Sequence, residues 1–563
     1  MRSLLLLALI FTLEPSRAST FQTAGERWLT QEFTASTLSR EEQQAELEWF
    51  IEAARPFRGM TIRVVSERID THWYESNVLA KAFTEITGIH VIHEVTGEDD
   101  LVRKIQVQMD TGLNIYDAYV NDTDFIGTHY RRGLTVPISD YIDHQWSDIT
   151  LPTLDLDDFI GLAFGTAPDD KLYQLPTQQF ANLYWYRHDW FSRPDLQADF
   201  LERYNYPLGV PQNWAAYEDI ADFFTNHIQA IDGKRVWGHM DYASTDPSLG
   251  WRISDSWLSL AGAGDKGLPN GIPVDDWGIR VDGCHPVGAS VSRGGAIDSP
   301  ASIHAIEKYL QWLNDFAPPE ARELTFTSSG EFVAGGNIAQ QIFWYTAFLP
   351  AVTNPDSSVV DEDGMPLWRV APSPRGPYWE TGMKSGYQDA GGWTFLLSTP
   401  QDNLAAAWLY AQFTVSKSVS LQKLLTGLTP IRRSDIESDV MTENATRLGG
   451  LVEFYRSNGR NIWTPTGSNV PDYAYLSSAW WQHVSKAVMG IQSADQAMKS
   501  LALDMDQRLQ EIGNLTDRQC KPILNEAIDP EVWLQRPGSP KPQLDSWPAA
   551  KTLPHEEAIE QWK

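Results

Sequence analysis

The sequence predicts an α/β protein built as two lobes, each a mainly parallel sheet flanked by helices, with segments crossing between the lobes as hinges. Three observations carry this. Strand and helix patterns alternate between Thr61 and Ile142. The chain has 563 residues, more than one hydrophobic core usually supports. The stretch from Leu172 to Phe191 reads as a strand, a polar break punctuated by proline and a second, aromatic strand, the pattern of a lobe-to-lobe crossing.

Thr61 to Glu67 (TIRVVSE) reads as a buried strand. Ser76 to Gly88 follows as a helix, with Val78, Leu79, Phe83 and Ile86 on one face and Gly88 as the stop. The unit repeats: Ile89 to Val95 is a strand, Asp99 to Gly112 a helix, and Tyr116 to Val120 a strand opening into Asn121-Asp122-Thr123-Asp124. Such alternation implies a parallel, helix-covered sheet, whose ligands sit beyond the carboxyl ends of the strands. The polar loops from Ser66 to Tyr74 and from Asn121 to Phe125 therefore point at a ligand. Further on, helices are expected over 211–227, 302–316 and 402–416, with a buried strand over 392–398.

Met1-Arg2, the apolar stretch from Leu4 to Leu13 and the small-x-small Ser16-Arg17-Ala18 read as a secretory signal peptide, too short in its apolar part to span a bilayer. No cysteine follows the cleavage point to carry a lipid, so the mature chain is expected to be exported, most simply into a periplasm. Acidic residues number 74 against 44 basic, a net charge of -30, which repels nucleic acid and anionic membranes. The two cysteines, Cys284 and Cys520, either pair in an oxidising compartment or stay as buried free thiols. A bridge would tie the late part of the chain to its middle.

In order along the chain, FTEITGIHVIHEV, YDAYVNDTDFIGTHYRRGLTVPISDYI, DDKLYQLPTQQFANLYWYRHDWF, VPQNWAAYEDIADFF, GEFVAGGNIAQQIFWY, WRVAPSPRGP, AGGWTFLLSTPQDNLAAAWLYAQFTVS and GLTPIRRS resemble the extracellular solute-binding proteins of carbohydrate ABC importers, the group that includes maltose-binding protein. The resemblance runs over roughly residues 60 to 515 and implies the periplasmic-binding-protein fold, two lobes closing on a sugar or polyol that is handed to membrane permease subunits. It implies no cofactor and a monomer. The expected division is a signal peptide over 1–18, an N-terminal helical extension over 19–59, a first lobe over 60–178 with 366–402, a second lobe over 179–365 with 403–518, and a tail over 519–563 packed on the lobes. Ser39 with Glu42 marks a capping box in the extension, ahead of Leu47, Phe50 and Ile51. The tail is rich in proline yet holds Trp533, Trp547 and Trp562, so it should wrap over a lobe in extended form. Such additions resemble the glycerol and sugar-alcohol branch of the family.

A neutral polyol offers hydroxyls, which need donors and acceptors, and C–H faces, which suit aromatic rings. Asp124 matches the position where the family places a hydroxyl-binding carboxylate, and Asp122 lies two residues earlier. Trp73 and Tyr74 end the loop after the first strand, and Gln178, Gln179 and Phe180 fall at the crossing. From the second lobe, Trp251, Trp344, Tyr345, Trp393 in its Gly391-Gly392 turn, and Trp481 beside Trp480 are the aromatic candidates among 23 tryptophans. For each of these the competing reading is ordinary core packing or a loop cap. The rival functional class is a glycosidase using two of the carboxylates. No nucleophile elbow supports it, since Gly288-Ala289-Ser290-Val291-Ser292 lacks the second glycine; His93-Glu94 has no partner histidine at zinc spacing, and Asp361-Glu362-Asp363-Gly364 lacks the calcium-loop pattern.

Overall fold

A computed structural model describes residues 17–252, 257–264, 277–344, 349, 352–384, 386, 388–462, 470–516, 518–537, 539 and 549–562. Residues 1–16 of the expected signal peptide over 1–18, the side chain of Trp251, and Tyr345 and Trp547 lie outside the described residues.

Helices α1 (Arg17–Gln31) and α2 (Arg40–Ala53) open the chain. Ser39 and Glu42 close the capping box at the start of α2, and Leu47, Phe50 and Ile51 are buried beneath it. Strand β1 (Thr61–Glu67) then pairs in parallel with β2 (His90–Thr96), Thr61 opposite His90 and Glu67 opposite Thr96. The link between them begins as a short helix and a π turn (Glu75–Leu79) before settling into α3 (Ala80–Thr87). Gly88, at φ 81°, ends α3 by returning its N–H to Thr84 in a left-handed conformation that glycine takes without strain. After α4 (Glu98–Thr111), β3 (Ala118–Asp122) joins the other edge of β1, Val64 opposite Ala118. Helix α5 (Ile126–Arg132) follows after a single helical turn, Thr123–Phe125.

Strand β4 (Leu175–Arg187) corrects the expected strand–break–strand: it is one continuous strand of 13 residues. Pro176 is accommodated because it sits at the strand's second residue, opposite Gly392, where the register shifts in a bulge. The first half of β4 pairs with β7 (Gln388–Thr394), which in turn pairs antiparallel with β3. Its second half runs between β5 (Gln340–Trp344) and β6 (Trp368–Ala371). A single strand thus belongs to two sheet halves, in the order β5-β4-β7-β3-β1-β2 with β6 added to β4.

Each half has its own interior. The first core gathers Ile62, Val64, Phe83, Val120, Trp393 and Trp408. The far half of β4 is buried on both faces, by Tyr184 and Tyr186 with Trp214, Trp312 and Trp480 on one side and by Trp185 with Val370 and Trp368 on the other. Helix α6 (Pro300–Asp315) belongs to the former cluster. Helix α7 (Gln401–Val415) differs from the expected division: it packs in the first core, because Leu404, Trp408 and Phe413 lie against the β1 side of the sheet. Strand β6, assigned by sequence to the first lobe, lies on the far half of β4. Helices α8 (Ser420–Gly427), α9 (Tyr473–Val488) and α10 (Ala494–Gly513) follow later in the chain.

Cys284 and Cys520 are bonded across a sequence separation of 236. From Cys520 to Ile528 the chain runs extended, with Ile523, Asn525 and Ile528 donating their N–H groups to the carbonyls of Pro286, Val287 and Ser292, but short helices over Pro530–Leu534 and His555–Ile559 correct the expectation of a wholly extended tail. It then pairs Thr552–Leu553 with Val210–Pro211 and ends with Trp562 buried against Phe454, ring centroids 5.6 Å apart. A crosslink over so long a loop restricts the unfolded chain, so reduction should lower unfolding free energy by about 2 to 5 kcal/mol, measured by denaturant unfolding with and without reductant.

Burial pushes His93 and His129 down to about 3, so both rings are neutral when folded. The unfolded chain protonates them near pH 6.5, so stability is full above that pH and falls on acidification towards pH 3. The expected slope is at most about 1.4 kcal/mol per pH unit for each ring. Denaturant midpoints at pH 7 and pH 5 check it, and His129→Gln should flatten the dependence.

Candidate ligand-binding site

The carboxyl ends of β1 and β3, the amino end of α4 and the near half of β4 converge on one cleft. Glu67 ends β1, Asp122 ends β3, and Glu98 is the first residue of α4. Oxygens of these three carboxylates lie within 4.8 Å of one another. Asp124 sits in the single turn after β3 and is 4% exposed. Asp389, on β7, accepts from the N–H of Thr123 at 3.2 Å. Gln178 projects from β4 into this group, its amide donating to Glu67 and, at 3.5 Å, to Asp122.

Burial, then the charges of Glu67, Glu98, Asp389 and Asp124, push the Asp122 carboxyl well above the usual range. Glu98 is pushed up likewise by burial and by Glu67, Asp99 and Asp124, against the Tyr473 hydroxyl, which donates to it at 3.2 Å. Tyr473 comes from the start of α9, across the cleft, and its ring packs on Phe125 with centroids 4.1 Å apart. Thr128 on α5 accepts from the Tyr473 N–H at 2.9 Å and donates to the Val470 carbonyl at 3.0 Å. Between α4 and α9 lies a cavity of about 400 Å³ bordered by Asp99, Val102, Ser477, Ser478 and Trp481.

Behind Gln178 the strand is pinned by a fully buried ionic group. Glu75 accepts from Lys423 on α8 at 2.9 Å, from His72 at 2.8 Å and from the Thr177 hydroxyl at 2.7 Å. Burial alone would raise the Glu75 carboxyl, but Lys423 and His72 hold it far below the usual range.

The structure sorts the sequence candidates. Asp122 and Asp124 lie in the acidic cleft. Of the two glutamines, Gln178 and not Gln179 reaches it: successive strand residues face opposite ways, and Gln179 turns back to donate to the Ile160 carbonyl at 2.8 Å. Phe180 shares the Gln178 face and meets Trp344 edge to face, centroids 5.5 Å apart. Trp393 is a correction. It is wholly enclosed in the first core with its indole N–H on Thr414 at 2.9 Å, so no ring face is left for a ligand. Tyr74 is another, buried in the first core with its hydroxyl on Glu32 at 2.8 Å. Trp73 is 43% exposed on the short helix Asp70–Tyr74, and Trp481 is half-buried beside the α4–α9 cavity. Glu67, Glu98 and Tyr473 were missed. The first two stand where a strand or its loop ends, a signal present in the sequence but obscured by the abundance of carboxylates.

Residues 74–419 match the family described as bacterial extracellular solute-binding protein. The chain belongs to this family. Its members are solute-binding components of ABC importers for sugars and polyols, not enzymes, which sets the glycosidase reading aside. Among solved structures, the fold is similar to an ABC transporter solute-binding protein of Agrobacterium radiobacter K84 in complex with ribitol, at a TM-score of 0.61 and 17% identity, covering 80% of this chain and 99% of that one. A solute-binding protein of Agrobacterium vitis S4 with D-mannitol aligns at TM-score 0.59 and 16% identity, covering 81% and 99%. Maltose-bound MalE3 of T. maritima aligns at 0.58 and 16%, covering 80% and 100%. These likenesses show the two-lobed fold. Family membership implies a periplasmic or secreted protein, and among the described residues no helix is long and apolar enough to cross a membrane.

Removing Lys423 would leave Glu75 charged and buried without its main partner. Lys423→Met should therefore cost about 3 to 5 kcal/mol of stability, most of it recovered by adding Glu75→Gln. Denaturant unfolding of the single and double variants measures both.

Proposed function

We propose that this solute-binding protein captures a small neutral polyol, a sugar alcohol or glycerol ahead of oligosaccharides, in the periplasm and delivers it to inner-membrane permease subunits. The observation that carries the reading is the array of carboxylates at the ends of β1 and β3. Acceptors set this close together suit a ligand with a hydroxyl on successive carbons, and the Phe180–Trp344 pair on the same side of β4 offers apolar faces to C–H groups. Support comes from the two similar structures described with ribitol and D-mannitol. Closure of the lobes would be a population shift set by contacts the ligand makes only in the closed form, with Tyr473 and Thr128 as the groups meeting across the cleft.

Calorimetric titration with glycerol, ribitol, D-mannitol and maltose tests this. Saturable binding of a polyol with weaker or absent maltose binding is expected, and tight maltose binding with no polyol binding would reject the reading. Asp124→Asn exchanges one acceptor oxygen for a donor where the family places its hydroxyl anchor. It should weaken polyol binding by about 1.5 to 3 kcal/mol. Unchanged affinity would remove Asp124 from the site.

A further inference from the structure

We infer that Glu67, Glu98 and Asp122, together with the side-chain carbonyl of Gln178, form a binding site for one hard divalent cation of the Ca²⁺ type at the floor of the cleft. The cation site stands on its own observations. Only the clause that polyol hydroxyls complete the coordination shell rests on the proposed function.

The donor set has the right chemistry. Ca²⁺ takes six to eight oxygens at about 2.3 to 2.6 Å, so oxygens sharing one ion stand up to about 5 Å apart. The three carboxylates meet that limit, with oxygens mutually within 4.8 Å. They arrive from three separate elements, the ends of β1 and β3 and the start of α4, so the grouping is set by the sheet and not by one flexible loop. An all-oxygen set favours Ca²⁺ or Mg²⁺ over zinc or copper, and a cleft open to ligand hydroxyls suits the larger, less geometrically demanding ion.

Two buried polar atoms without partners among the described residues lie beside the cluster. His72 is wholly buried, and its Nδ1 lies 2.8 Å from the Glu75 carboxylate, an acceptor, so Nδ1 carries a proton. Its Nε2 has no hydrogen-bond partner among the described residues and stands 3.9 Å from a Glu67 oxygen, too far for a hydrogen bond. The Oε1 of Gln178, also wholly buried, has no partner among the described residues, although the same amide reaches Glu67 and Asp122 through its nitrogen. The Gln178 amide thus stands at the carboxylates, where a half-turn would bring its unsatisfied carbonyl to a cation, and the unpartnered His72 nitrogen faces the same Glu67. The buried lysine behind the strand does not serve this purpose, because Lys423 is committed to Glu75 and Thr177.

The test uses the full chain, stripped of metal with EDTA, with no polyol present. CaCl₂ is titrated calorimetrically, and TbCl₃ is followed by tryptophan-sensitised luminescence with Ca²⁺ as competitor. Saturable uptake of one ion per chain, weakened at least tenfold in both Glu98→Gln and Asp122→Asn but not in the surface control Asp495→Asn, is the expected result. Thermal melting of each variant confirms that it is folded, and Glu67→Gln replaces any that is not. Absence of saturable uptake, or uptake that the cleft variants leave unchanged, overturns the site. Because this titration contains no polyol, its failure leaves the transport reading standing. Failure of the polyol titrations would reject that reading without touching the cation result.

Discussion

The structure depends on one constraint: β4 is a single strand that must satisfy both halves of one seven-stranded sheet. Its near half takes hydrogen bonds from β7, its far half from β5 and β6. A strand shared in this way fixes the alternation of its side chains across the whole molecule. Gln178 and Phe180 are committed to the cleft, while Thr177 and Gln179 are committed to the rear. A slip of one residue would exchange these roles, placing Thr177 among carboxylates and Gln178 against the buried Glu75. The bulge at Gly391 and Gly392 allows Pro176 into the strand, and a side chain at Gly391 would collide with Gln178. Glycine at that position therefore protects the residue that reaches the carboxylates.

The two electrostatic groups on either side of β4 are solved differently. Behind it, Glu75 is neutralised by Lys423 and by hydrogen bonds from His72 and Thr177, a closed and dry arrangement. In front, Glu67, Glu98, Asp122 and Asp124 crowd together, and the strongest electrostatic neighbours of Asp122 are all carboxylates. The first arrangement is what a stable interior requires. The second resembles a stored demand for something that brings donors or positive charge. His72 connects the two, with one ring nitrogen on Glu75 and the other facing Glu67.

Much of the fold was legible because its local signals agree. The strands over 61–67, 89–95 and 116–120 are found within two residues, and the helix that follows the first is capped at Gly88 as expected. The crossing was located but misread as interrupted, since proline normally argues against a strand interior and its tolerance here comes from a bulge formed with a distant strand. Lobe boundaries were harder for the same reason: α7 is apolar around much of its circumference and carries no signal of which core will enclose it. The site was legible as a region and not as a residue set. Asp122 and Asp124 stand where strand ends predict, but a tryptophan in a glycine turn suggests a ligand platform as readily as a core ring, and Trp393 is the latter. Gln178 and Gln179 are indistinguishable until the register of β4 is known.

The contacts that meet across the cleft combine one ring pair, Phe125 with Tyr473, and several polar links, and they lie next to the proposed ligand position. Thr128 holds Val470 and Tyr473, and Tyr473 reaches Glu98. A short way along α5, Arg131 donates to the carbonyls of both Cys284 and Cys520, at 2.8 and 3.0 Å, and so ties the same helix to the disulfide. Helix α5 therefore carries one contact beside the carboxylate cleft, through Thr128, and one to the disulfide-linked segments, through Arg131. If the lobes close as proposed, small polar contacts of this kind can be broken and remade while the disulfide keeps Cys520 bound to Cys284. The additions at the ends of the chain are placed to brace the two halves separately: α1 and α2 pack on α3 beside the first core, and the tail is hydrogen-bonded along Pro286, Val287 and Ser292.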